Sequence, residues 1–366
     1  MTTHDKYAIP ATTDWSVPMA GDSRFTWEYD DGRARLLNLY QKGKDKQWDS
    51  VKRIDWDLEV DPHDVLGMPP EACGIFGSPT WEKLGQKDKD ELSLHLASWQ
   101  FSQFLHGEQG AMICSARIVE GVPDLDSKFY ASTQTMDEAR HAETYARFLQ
   151  EKVGLLYPIN PYLRSLLNST LSDSRWDMPY LGMQVLIEGL ALAAFGLIRD
   201  MTNKPLPKQI LAYVMQDEAR HVAFGRMALK DAYAQLSTKE REEREEFVVE
   251  GCYLMRDRFR QQEVWEAMGF PLDECMEYVD KSPYMQMFRS LLFSRIVPIV
   301  KDIGLWGDKV QKAYADMGVL DMAGVDLAAL MKADEDIAEA LDKERAEIAA
   351  RQREVDETIA VGAAAV

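Results

Sequence analysis

The sequence is short of positive charge. Its 42 Lys and Arg face 61 Asp and Glu, so the formal net charge is -19 and the pI about 4.8. That balance excludes a nucleic-acid binder, which needs clustered cations to neutralise phosphates, and a protein held by charge on an anionic membrane. Cysteine is scarce. Cys73, Cys114, Cys252 and Cys275 lie far apart with no CxxC pair, which excludes a disulfide frame or a cysteine zinc site and suggests reduced thiols. There is no GxGxxG motif and no strand–helix–strand alternation. The first residues, MTTHDKYAIPATTDW, lack the basic start and apolar run of a signal peptide, so a cytoplasmic location is expected. Long apolar runs are also missing, with one exception at Met178–Ile198, whose single charge is Glu188. An acid at the centre of a span is costly in lipid, so this run reads as a helix buried in a bundle, with Glu188 needing a partner and no membrane involved.

What is present is helical pattern. Of the 366 residues 46% are apolar and 10% aromatic, enough for a sizeable core. Residues 1–87 read as an irregular arm around the main domain, with a helix-like stretch at Arg33–Lys52. Apolar spacing predicts helices at Asp88–Glu120, Asp124–Lys152, Asp177–Thr202 and Pro205 to about Leu236, with Asp124 or Asp126 and Asp177 as N-caps. Residues 88–236 form the expected bundle. Packing helices follow over 237–330, including Thr238–Met268, 284–303 and 307–317. Residues 331–366 read as a charged helix and tail, with Ile337, Leu341, Ile348 and Val355 as a weak stripe on a solvated helix. The fold class is all-α.

The six histidines include two in identical surroundings. Residues 137–141 and 217–221 both read Asp-Glu-Ala-Arg-His, 80 residues apart. In each copy a Glu (Glu138, Glu218) lies three before the His (His141, His221), which on a helix puts both side chains on one face, able to grip one ion. Thirty residues before each of these glutamates stands another, Glu108 and Glu188. Thirty residues allow a chain to climb a helix for roughly 14, turn, and return to the same height. Turn signals at Gly121–Pro123 and Asn203–Pro207 fall near the midpoints. The sequence therefore describes two hairpins, each carrying Glu and Glu-x-x-His to one level. Four carboxylates together in an apolar bundle repel one another; two divalent cations cancel them, and carboxylate–imidazole ligation suits iron or manganese. Asp137 and Asp217 are placed to accept the free N–H of a ligand His on the facing helix, with Arg140 and Arg220 holding those aspartates. His106, two residues from Glu108, faces elsewhere; His4, His63 and His95 fit no pattern.

One Glu from each of two helices and Glu-x-x-His from each of two others resembles the ferritin-like di-iron carboxylate superfamily. The resemblance covers about 88–236. It implies a four-helix bundle core with flanking helices, two iron ions or a mixed Mn/Fe pair, O₂ as co-substrate, a small, largely apolar organic substrate, a reductase or ferredoxin as electron donor, and a homodimer.

Within the superfamily the shared ligands do not choose the reaction. The DE-x-R-H form resembles hydroxylase subunits of bacterial multicomponent monooxygenases, although the Thr those enzymes often place four residues after the third-helix Glu is Leu192 here, preceded by Ala191. Phe101, Phe104, Leu105, Ala111, Met112, Leu192 and Phe195 suggest a greasy surround. Tyr145, four residues after His141, matches the redox tyrosine of ribonucleotide reductase small subunits, but the aromatic C-terminal tail of those subunits is replaced by TIAVGAAAV. Arylamine N-oxygenases carry a further His four residues before the last Glu; that position is Val214. Ferritins store iron in a short bundle and need neither the arm nor the residues beyond it. The expected activity is an O₂-activating di-iron oxidase or oxygenase of hydroxylase type. The alternatives are a radical-generating subunit, an N-oxygenase relative and, last, iron storage.

Overall fold

The computed structural model describes residues 16–18, 21–26, 29 and 32–364; side chains at 352 and 354–364 lie outside the description, as do His4 and Val355. Helix α1 (Ala34–Asp45) belongs to the arm and packs against the bundle. The bundle consists of α2 (Gln86–Gly121), α3 (Leu125–Phe148), a helix whose first part is the π-helical Tyr180–Ile187 and whose second is α5 (Glu188–Met201), and α6 (Pro205–Tyr233). Between the hairpins lies α4 (Pro161–Ser172), started by the Asn160 side chain accepting from Tyr162 and Leu163 N–H. The sequence pattern did not single out this helix. No strand occurs among the described residues.

The caps explain most boundaries. Asp124 accepts from Ser127 N–H and starts α3. Pro205, preceded by extended Lys204, opens α6. A Ser237–Glu240 capping box opens α7 (Thr238–Asp257). Three expectations change. Asp177 does not cap: its carboxylate accepts from the Tyr233 hydroxyl at 2.9 Å and from Arg244 at 3.0 and 3.1 Å, tying the start of that helix to α6 and α7. The helix expected over Thr238–Met268 breaks at Gln261, which takes a left-handed φ of 56°, and resumes as Gln262–Ala267. The segment 284–303 is two helices, Pro283–Leu292 and Ile296–Asp302.

The apolar run is the core of the molecule. Among the described residues, Tyr180–Met201 alone is long and apolar enough to cross a membrane, and 89% of its apolar window is buried inside the fold. It fits so closely against α6 that a Cβ at Gly225 would lie 2.5 Å from Gln184 Cβ, a backbone approach that only glycine allows.

The last helix, α8 (Leu327–Ala364), packs along α6. Its buried positions are Asp334 and Ala338, whereas Ile337 and Leu341 are half-buried and Ile348 is exposed, so the contact face is rotated from the apolar stripe read in the sequence. Charge sets the rotation. Asp334 is bound by Arg199 at 3.0 Å and Arg295 at 2.6 Å, all three buried, and Asp342 pairs with Arg53 at 2.7 Å. Truncating one member of a buried pair leaves charge uncompensated. Asp334→Ala is therefore expected to cost about 3–5 kcal/mol, read as a fall in the urea midpoint with unchanged slope. A loss under about 1 kcal/mol would show that α8 is held by something else.

Candidate metal centre

The two hairpins bring all six predicted residues to one level. Glu108 comes from α2, Glu138 and His141 from α3, Glu188 from the first residue of α5, and Glu218 and His221 from α6. All are buried, with no side chain more than a few per cent exposed. Two overlapping groups form. In the first, donor atoms of Glu108, Glu138, His141 and Glu218 lie within 4.8 Å of one another; in the second, those of Glu138, Glu188 and His221 do. His141 Nδ1 is 3.0 Å from Glu218, 3.4 Å from Glu138 and 3.4 Å from Glu108. His221 Nδ1 is 3.0 Å from Glu138 and 3.6 Å from Glu218. Glu138 and Glu218 thus stand between the two imidazoles, with Glu108 and Glu188 at opposite ends.

The donor set fits a pair of cations. Glu138 Oε2, Glu188 Oε2, both Glu218 oxygens and both Nδ1 atoms are buried without a hydrogen-bond partner, and they face one another. Buried polar atoms are otherwise nearly always paired, so this concentration of unpaired donors marks a place built for something positive. Electrostatics agree. Burial and then repulsion from Glu218 push Glu108 well above the ordinary carboxylate range; burial and then Glu138 do the same to Glu188. Burial also pushes Glu138 upward, but the two imidazoles outweigh it and hold this carboxyl low. Burial disfavours the charged imidazoles, yet the surrounding carboxylates raise both histidines well above normal.

Around the six stands a cage that crosses between hairpins. His141 Nε2 meets Asp217 at 3.0 Å, and His221 Nε2 meets Asp137 at 3.2 Å, each aspartate on the opposite helix. Arg140 donates to Asp137 and, at 2.8 Å, to Asp217; Arg220 donates to Asp217. Burial would raise Asp217, but Arg220, His141 and Arg140 hold its carboxyl well below the usual range. The geometry matches the arrangement expected for Asp137, Asp217, Arg140 and Arg220.

Four contributors carry no such signal in the motif. Trp48 Nε1 donates to Asp217 at 2.7 Å, and Gln47 donates to Asp137 at 2.7 Å while accepting from Arg140 at 2.7 Å. Both come from the arm just beyond α1, 169 and 90 residues from their partners. Gln134 donates to Glu138 at 3.0 Å and to Glu188 at 2.9 Å, and Gln184 donates to Gln134 at 3.4 Å. Gln134 lies four residues before Glu138 on the same face, a spacing that could have disclosed it. His106 is occupied by the Tyr157 carbonyl at 2.8 Å, away from the cluster. The Tyr145 hydroxyl is buried and unpaired; burial, then Glu108, raises it well above its normal range.

A model of the family described as p-aminobenzoate N-oxygenase AurF matches residues 30–304. The chain belongs to this N-oxygenase family. The matched residues include Gln47 and Trp48 as well as the bundle. Solved structures similar to the chain include a point mutant of an R2-like ligand-binding oxidase with a reconstituted Mn/Fe cofactor, at 16% identity, covering 77% of this chain and 96% of that one, TM-score 0.50. Another is the dimanganese(II) NrdF of Streptococcus sanguinis, at 13% identity, covering 79% and 98%, TM-score 0.48. These identities bear on the fold alone. None of the curated proteins matches the chain significantly in sequence.

Two outcomes follow from this AurF-family site. Removing an aspartate behind a ligand histidine typically costs 10–100-fold in metal affinity, so Asp217→Ala should weaken metal binding by about that factor in chelator competition. Undiminished affinity would remove Asp217 from the supporting cage. Second, burial and the neighbouring carboxylates raise Glu108 and Glu188, and the surrounding carboxylates raise His141 and His221, so in the absence of metal each keeps its proton to a higher pH than it would free in water. Metal must displace those protons. Loading in weak buffer at pH 7 should release protons, and affinity should fall as pH falls. Loading with no proton release would contradict these raised values.

Proposed function

We propose that the chain is an O₂-dependent di-iron oxygenase that oxidises a small, largely apolar organic molecule, most closely an N-oxygenase. The observation that carries it is the convergence of six buried ligand-type side chains, five of them with unpaired atoms, inside a chain of the AurF family. Glu108, Glu138, His141, Glu188, Glu218 and His221 would hold the two ions, iron or a Mn/Fe pair. Such a pair, when bound, supplies electrons to O₂ and turns it into an oxidant.

The protein's own part is positional. Asp217 and Asp137 hold His141 and His221 with Nδ1 turned inward, which fixes the tautomer and ring angle. Gln134 donates to one oxygen each of Glu138 and Glu188 and so steadies both carboxylates. Phe101, Phe104, Leu192 and Phe195 are buried and keep water from the cluster. Val214, fully buried one turn before Glu218, supplies no imidazole. This favours a relative of the p-aminobenzoate enzyme over that activity itself. Electrons come from a separate reductase or ferredoxin, because the sequence has no flavin or iron–sulfur motif, and the working unit is a homodimer in the cytoplasm.

A second reading rests on Tyr145, whose unpaired hydroxyl lies in the field of Glu108, Glu218 and Glu138 and whose ring packs on Phe101, Phe104 and Phe195. It would serve as a one-electron relay.

Anaerobic loading should give two metals per chain. With reductant and O₂, an aromatic amine should yield the N-hydroxylated product, and Glu138→Ala or His221→Ala should abolish O₂ consumption linked to the metals. Less than one metal per chain, or full turnover in either variant, refutes the site. Products oxidised only at carbon would replace the N-oxygenase reading by a hydroxylase one. A tyrosyl EPR signal lost in Tyr145→Phe would support the relay, and its absence would remove it.

A further inference from the structure

A cavity of about 630 Å³ lies at the end of the bundle where α2 begins. That volume suits a small organic ligand. Its walls include Phe76, Trp81, Leu96, Ile198 and Phe288, contributed by the arm, the bundle and the later helices. It is set apart from the candidate metal centre. Gln100, Phe104 and Glu108 follow at four-residue spacing on one face of α2, so Gln100 in the cavity wall is about 12 Å from the level of Glu108. Phe104 stands between them and meets Phe195 edge-on, with ring centroids 4.5 Å apart.

One polar group in this wall has nothing to bond. Gln100 is 7% exposed, and its Nε2 is buried without a hydrogen-bond partner. An unused donor in a largely apolar wall calls for an acceptor from outside the protein. The charged groups of the lining are otherwise engaged. Asp64 pairs with Lys204 at 2.6 Å, Asp90 accepts from Gln86 at 2.7 Å, and the Lys89 ammonium lies over the Trp81 ring at 4.7 Å. The cavity therefore offers aromatic and aliphatic surface beside one buried, unpaired neutral donor. This favours an uncharged molecule over an anion, which would be buried there without a cation.

We propose that this cavity binds a neutral, largely apolar organic molecule, its body among Trp81, Phe76 and Phe288 and a carbonyl-type oxygen on Gln100 Nε2. The site does not depend on metal in the cluster. The test is calorimetry on the full chain as purified, without O₂ or reductant so that no turnover occurs, with metal content measured on the same sample. Two probes are used: acetanilide, which has a ring and a neutral carbonyl, and ethylbenzene, which has only the ring. Acetanilide should bind once per chain, about tenfold tighter than ethylbenzene, the equivalent of one hydrogen bond to a buried donor. Gln100→Leu, close in volume, should abolish that preference while ethylbenzene still binds. Leu96→Trp, which fills the cavity, should prevent both from binding; should it fail to fold, Gln100→Leu alone decides. No binding of either probe, an unchanged preference in Gln100→Leu, or undiminished binding in folded Leu96→Trp overturns the proposal. Because metal content is read separately, loss of binding at full metal occupancy refutes the cavity site and leaves the metal centre standing.

Discussion

Four carboxylates share one small volume inside this protein, and the rest of the structure follows from that constraint. Glu108, Glu138, Glu188 and Glu218 cannot all ionise together in an apolar bundle without a compensating charge. Two histidines supply part of it, and the unpaired oxygens and ring nitrogens between them mark where the remainder belongs. A bundle assembled only for packing would place leucines at these positions and be more stable. Retaining the acids makes sense only as preparation for cations, and the repulsion among them is what gives a metal pair its driving force to bind.

The repulsion must also be held in place until metal arrives, which the crossed cage accomplishes. Each histidine is anchored by the aspartate of the opposite hairpin, and the two aspartates are tied together through Arg140. Neither hairpin can shift alone without breaking a charge-assisted hydrogen bond. The arm completes the lock by placing Trp48 on Asp217 and Gln47 between Asp137 and Arg140. Arg53 then carries the linkage outward, lying over the Tyr213 ring and pairing with Asp342 of α8. Segments distant in sequence are thereby joined to the site through a short series of polar contacts, so the arm and last helix are parts of the centre's support.

The six candidate ligands were legible in the sequence because their spacing is a direct consequence of helix geometry. Glu-x-x-His on one face and a matching Glu thirty residues earlier require no knowledge of tertiary structure beyond a hairpin. The aspartates were legible for the same reason, being neighbours of the ligand glutamates. Gln47 and Trp48 were not, because nothing local requires them: their roles come from where an irregular segment happens to lie. The same holds for α8, where a weak apolar stripe read as a solvated helix, and the buried ion pairs of Asp334, with a half-exposed pair at Asp342, set the face that docks. Periodicity locates a helix's greasy side well, but is silent when charged groups carry the docking. The break at Gln261 escaped for a related reason, since the sequence there lacks the Gly or Pro that normally announces one.

Val214 stands where the arylamine N-oxygenases that the sequence resembles carry a further histidine. The surrounding helix puts it one turn from Glu218, on a face directed into the core, where a longer polar side chain would have to find a partner or a metal. With valine there, the candidate donor set is six side chains, four of them carboxylates, with no further imidazole at position 214. An anionic donor set would favour the oxidised state of a bound metal pair and so help its reduced form give electrons to O₂. Reactivity toward O₂ would then draw on the charge of the cluster, and selectivity on the apolar surround. Leu192 and Phe195 occupy the turns of α5 that follow Glu188, both buried and neither carrying a polar atom on its side chain. A site so arranged would discriminate by shape and by exclusion of water.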